Sequence, residues 1–149
     1  MTKRWLAVAS WAGVIFFTSC FYIPSRRLVH SVADLNPVGI SEASFSTFWR
    51  HWWWAFVKGY HVLEYTILTG LVISALTCVA GANRRIGIAG GAALLFACSD
   101  EWHQTFVRDR GGTASDVAID SIGIALVVLW FVVAAWRAKV TADDSYLSG

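Results

Sequence analysis

The sequence predicts an all-α integral membrane protein, a four-helix bundle with a Trp-rich interfacial segment between its first and second transmembrane helices. Three observations predict it. Of the 149 residues, 56% are hydrophobic and 15% charged, whereas a soluble domain carries about 25% charge. That leaves too little polar surface to cover a water-soluble globule. Four stretches reach the ~20 mostly apolar residues needed to cross hydrocarbon. The ionisable residues within them gather at ends that share one membrane surface. The same composition excludes disorder, and three scattered cysteines exclude a disulfide scaffold. A net charge of +2 leaves no electrostatic footprint for nucleic acid, so the expected partner is the lipid bilayer.

The first span is expected over residues 5–23, behind Lys3 and Arg4. A basic start and a short apolar core also describe a cleaved signal. Phe17-Thr18-Ser19-Cys20 is a poor lipoprotein box because of its leading Phe, so the helix is read as retained. Next comes a segment holding Phe45, Phe48, Trp49, Trp52, Trp53, Trp54 and Phe56. Trp favours the headgroup layer, so 44–57 is read as a short helix lying on the outer leaflet, capped by Ser41 or Ser44. The second span covers 58–80. The third covers 86–107, and to be long enough it must run through Asp100, Glu101, His103 and Gln104. The fourth covers 116–136, capped by Thr113 or Ser115, with Asp116 in its first turn. These spans form one domain over 1–140, and 141–149 reads as a disordered cytoplasmic tail. Cys20, Cys78 and Cys98 are expected to be buried as small hydrophobes.

Orientation follows from Lys and Arg in the loops. The two sides carry equal numbers of basic residues, but those beside Arg108 and Arg110 are interleaved with carboxylates. With Lys3 and Arg4 ahead of the first helix, both termini are expected inside.

In an antiparallel bundle the start of the second span, the end of the third and the start of the fourth meet at one surface. At 100° per residue, Lys58, His61 and Tyr65 share a face with Glu64 beside it. Asp100, His103 and Gln104 share another, with Glu101 to its side; Asp116 and Asp120 form a third stripe. Intramembrane ionisable groups face the bundle interior or a wet cavity. A polar pocket on the extracytoplasmic side follows, with Arg110 in the adjoining loop. Its carboxylates outnumber its fixed cations. Three readings are open: a salt-bridge network, a metal-free acid/base site, or a divalent metal held by His61, Glu64, Asp100 and His103.

Phe-Thr-Ser near the end of the first span, Lys58-x-x-His61-x-x-Glu64-Tyr65, Asp100-Glu101-x-His103-Gln104-x-Phe106, Arg110, and Ser115-Asp116-x-x-x-Asp120-x-x-Gly123 resemble the VanZ-like family over roughly residues 5–135. The resemblance implies a small multi-pass protein of the bacterial cytoplasmic (inner) membrane. It also implies lowered susceptibility to lipoglycopeptides such as teicoplanin, or a part in envelope homeostasis. The Val107–Gly112 turn is more charged than the family's Pro-Gly-Arg turn, and Asp120 stands where an amide is also common. Three functions follow as expectations. The first is binding of a lipid, a lipid-linked cell-wall precursor or the drug. The second is an enzyme acting on such a lipid, with Glu101 and His103 as acid/base groups and Lys58 and Arg110 holding the headgroup. The third is a small proton-coupled transporter or flippase.

Overall fold

The computed structural model describes residues 2–35, 39, 41–78 and 81–147. Among them lie five α-helices and no strand: α1 (Thr2–Ser19), α2 (Ser25–Leu35), α3 (Glu42–Ala75), α4 (Ala82–Gln104) and α5 (Ala114–Leu147), with one 3-10 turn over Leu76–Cys78 after α3. The all-α expectation holds. One helical stretch, Ala114–Ala142 within α5, is long and apolar enough to cross a membrane, and 17% of its most apolar window is buried inside the protein. α1 has the length, but its eighteen residues include Lys3 and Arg4.

Several boundaries differ from the sequence reading. α1 ends at Ser19, and Phe21–Ile23 lie outside it, because Pro24 cannot extend a helix from its N-terminal side without losing a donor. α2 is a helix where a connection was expected. Its apolar Leu28, Val29, Val32 and Leu35 recur on one side, and Val29 is buried. The Trp-rich segment is not a separate surface helix. It is the first part of α3, which runs unbroken for 34 residues. No proline interrupts it, and Gly59 and Gly70 each cost a helix only about 1 kcal/mol. Trp52, Trp53, Trp54 and Phe56 are all exposed and spread over about 200° of the helix circumference at 100° per residue, wider than a single face. The last helix also overruns its expected end: α5 continues to Leu147, through the stretch expected as a disordered tail, since no proline or glycine lies between Gly123 and Leu147. Residues 148–149 lie outside the described residues.

Ser41 is the N-cap of α3, its hydroxyl accepting from the Ser44 N–H at 3.2 Å. Ser41→Ala is expected to cost about 1 kcal/mol, read as a small fall in melting temperature of the detergent-extracted protein. Thr113 plays the same part before α5, where the Asp116 N–H donates to its hydroxyl at 3.2 Å.

α5 packs chiefly on α3 and α4, and α1 on α3. The apolar core is built from Ile15 of α1, Leu68, Val72 and Ile73 of α3, the Ala89, Ala93, Ala97 stripe of α4, and Ile124 of α5. Small residues let the helices approach closely. A Cβ on Gly90 would lie 3.2 Å from a Val128 methyl, and one on Gly123 would lie 2.2 Å from the Val62 carbonyl oxygen. Gly87 and Gly91 meet nothing within 4 Å. At one end Arg4 of α1 hydrogen-bonds the Ser74 carbonyl at 2.9 Å and the Thr77 hydroxyl, which fixes α1 antiparallel to α3. The other end carries the polar residues.

Candidate functional site

That end joins the close of α1, the middle of α3, the close of α4 and the start of α5. Among the described residues the buried ionisable side chains are His61, Glu64, Asp100, Glu101 and Asp120, all of them here. Burial follows from helical spacing. In α3 the inward face runs His61, Glu64, Tyr65, Leu68, Thr69, Val72. In α5, Asp120 precedes Ile124 by four residues on the same face.

α1 contributes two hydroxyls that sequence reasoning gave no role. Ser19 Oγ donates to Asp100 Oδ2 at 2.8 Å, and Thr18 Oγ1 donates to Glu64 Oε1 at 3.2 Å. Gln104 Nε2 donates to the same Asp100 oxygen at 2.8 Å and to Glu101 Oε1 at 3.2 Å. The other Glu101 oxygen accepts from the Thr113 backbone N–H at 3.1 Å. That bond requires the loop backbone to lie on α4, and Gly112 allows it: a Cβ there would fall 1.7 Å from the Glu101 carbonyl oxygen. Asp109 turns the same loop in the left-handed region at φ 61°, a conformation that Asp tolerates better than most residues.

The cations are engaged around the rim. Lys58 pairs with Asp116, both partly buried. Arg110 Nη1 donates to the Thr18 carbonyl at 2.9 Å and so ties the loop to α1. Arg108 pairs with its exposed neighbour Asp109.

The four residues expected to share a metal are not grouped together. Glu64 is held by Thr18 and Asp100 by Ser19 and Gln104. His103 turns toward α1, stacked on Phe16 with ring centroids 4.6 Å apart and its Nε2 3.5 Å from Cys20 Sγ. Glu101 and His103, either of which was expected as a general base, face different neighbours. The group whose ligand atoms all lie within 4.8 Å of one another is His61, Glu101 and Asp120. Periodicity alone gave Asp100, His103 and Gln104 the inner face. The signal that separates Glu101 from His103 is the alanine stripe: Ala89, Ala93, Ala97 and Glu101 are spaced by four, and the first three lie in the core. His103 falls off that line.

Tyr65 completes the interior. It is fully buried, its hydroxyl has no hydrogen-bond partner, and it lies within electrostatic reach of Asp100, Asp120, Glu64 and Glu101. The cysteines depart from expectation: Cys20 is half-buried and Cys98 exposed, while the side chain of Cys78 lies outside the described residues.

A cavity of about 470 Å³ opens onto this cluster, lined among others by Phe21, Tyr22, Lys58, His61, Gln104 and Arg110. It adjoins a groove of about 590 Å³ between α2 and the start of α3, with Ser25, Trp49 and Trp53 in both linings. Arg26 and Arg50 stand along that groove. Aromatic walls therefore lead to basic side chains, and these lead to buried carboxylates.

A family model described as VanZ/LLP1 matches residues 4–135. No curated protein and no solved structure matches the chain.

Proposed function

Because the chain belongs to the VanZ/LLP1 family, we propose that it is a polytopic protein of the bacterial cytoplasmic membrane that lowers susceptibility to lipoglycopeptides such as teicoplanin, or maintains the envelope, by binding an anionic amphiphile. In this reading α1, α3, α4 and α5 cross the bilayer, both termini are cytoplasmic, and the polar end faces outward. Exposed Phe17, Leu95, Leu129 and Trp130, spread over three of those helices, support contact with acyl chains.

The observation that carries the binding role is the joined cavity and groove. Trp49, Trp53, Phe21 and Tyr22 suit an apolar tail, while Lys58, Arg110 and Arg26 suit a phosphate or carboxylate at its head. A lipid-linked cell-wall precursor and a lipoglycopeptide both have that form. The enzyme alternative would use Glu101 or His103 as the general base, with Lys58 and Arg110 at the headgroup. Nothing favours a transporter or flippase over binding.

The test is expression in a glycopeptide-susceptible host. The wild-type chain is expected to raise the inhibitory concentration of a glycopeptide with a lipid tail and leave that of one without a tail unchanged. The paired change Trp49→Ala, Trp53→Ala is expected to abolish the rise at equal protein abundance. Full protection by the paired variant overturns the binding role of the groove. Reporter fusions at the two termini that reveal opposite sides overturn the topology.

A further inference from the structure

We propose that His61, Glu101 and Asp120 form a binding site for one divalent transition-metal cation, with a coordination position open toward the cavity of Lys58 and Arg110.

The three residues come from three helices and are nearly or wholly buried, with exposures of 7%, 3% and 0%. One ligand atom from each lies within 4.8 Å of the others. Donors sharing a zinc-like ion lie roughly 3–3.5 Å apart, as bonds of about 2.0–2.2 Å require. His61 Nδ1 and Asp120 Oδ1 already meet that spacing at 3.3 Å. The contact is an ion pair when His61 is protonated but is not placed as a hydrogen bond: His61 Nδ1 and both Asp120 carboxylate oxygens are buried atoms without a hydrogen-bond partner. A carboxylate with no exposure and no donor at either oxygen is costly to bury as an anion. Lys58 is paired with Asp116 and Arg110 is bonded to the Thr18 carbonyl, so the charge that faces Asp120 is that of His61, if protonated, or of a bound cation.

Glu101 is prepared for the same role. Gln104 and the Thr113 N–H each donate one hydrogen bond to it, one per oxygen, and fix its orientation while leaving lone pairs free. One imidazole nitrogen with two carboxylate oxygens suits zinc or manganese better than the all-oxygen preference of calcium or magnesium. Three protein ligands leave at least one position for another donor. His61 and Gln104 both line the 470 Å³ cavity, so a phosphate or carboxylate entering beside Lys58 and Arg110 could complete the sphere. The metal site deepens the binding role proposed above, but it does not depend on it.

The experiment uses the full chain, purified in detergent with any affinity tag removed, stripped with chelator, equilibrated with zinc or manganese chloride and desalted. Elemental analysis is expected to find about one ion per chain, with a higher melting temperature than the stripped protein. Asp120→Asn and His61→Gln are expected to lose the ion, whereas Glu64→Gln, outside the ligand set, keeps it. Less than about a tenth of an ion per folded wild-type chain overturns the site, as does full retention in both Asp120→Asn and His61→Gln. Should a variant fail to fold, the wild-type stoichiometry and its thermal shift still decide. Metal bound without any drug phenotype leaves this site standing and overturns only the resistance role.

Discussion

Leucine in place of Gly123 is expected to prevent folded protein from accumulating. A Cβ at this position would lie 2.2 Å from the Val62 carbonyl oxygen and 3.0 Å from the Thr66 nitrogen. Both are backbone atoms of α3, so no side-chain rotation relieves the overlap and the helices must separate. Overpacking of well-packed interiors costs about 1–3 kcal/mol when side chains can adjust, and more when they cannot. That is a large part of the 5–15 kcal/mol typical of a whole domain. The same separation would pull Asp120 on α5 from His61 on α3. Gly90→Ala is the matched control, because its added methyl meets a Val128 side-chain atom at 3.2 Å, which can rotate. Size-exclusion profiles of detergent extracts read both variants. A monodisperse Gly123→Leu peak of wild-type height contradicts the close α3–α5 contact.

Tyr65 gives the second large effect, and its sign depends on the substitution. Among the described residues the side chain is the largest fully buried one, and it stands at the head of the core it shares with Leu68 and Ala93. Tyr65→Ala opens a cavity under the polar cluster and should cost about 3–5 kcal/mol, as large aromatic truncations do. Tyr65→Phe should act in the opposite direction. The hydroxyl is buried without a hydrogen-bond partner, and removing such a group while keeping the ring recovers up to about 1–3 kcal/mol of desolvation cost. Thermal unfolding followed by far-UV circular dichroism should therefore rank Phe above Tyr and Tyr above Ala. A phenylalanine variant less stable than the wild type contradicts this, and means that the hydroxyl donates to a bound group.

Much of this arrangement is legible in the sequence. Asp100, Gln104, Asp120 and His61 can be placed at one end by antiparallel geometry alone, and Ser41 and Thr113 are legible as caps. The partners of each group are harder to read. Helical periodicity gives a face about 100° wide, but it does not say which neighbour covers each flank. His103 and Glu101 lie on opposite flanks of Asp100, and α1 takes the first while α5 takes the second. Thr18 and Ser19 were visible as residues but not as donors, because their role depends on where α1 stops. α2 is legible only weakly: Leu28, Val29, Val32 and Leu35 carry a helical pattern, but the stretch is short and mostly polar. α3 was divided at Lys58 because its composition changes there. Composition changes do not break a helix; missing donors and special dihedrals do.

The continuity of α3 has a mechanical consequence. Its 34 residues make a shaft about 51 Å long at 1.5 Å per residue, well beyond the ~30 Å of hydrocarbon. Trp53 on its outer reach and His61 within the cluster are about 12 Å apart on that shaft, and the helix continues through Gly59 between them without a proline. A load on the tryptophans is delivered to the imidazole as tilt. What occupies the aromatic groove and how His61 sits against Asp120 are thus coupled by stiffness alone.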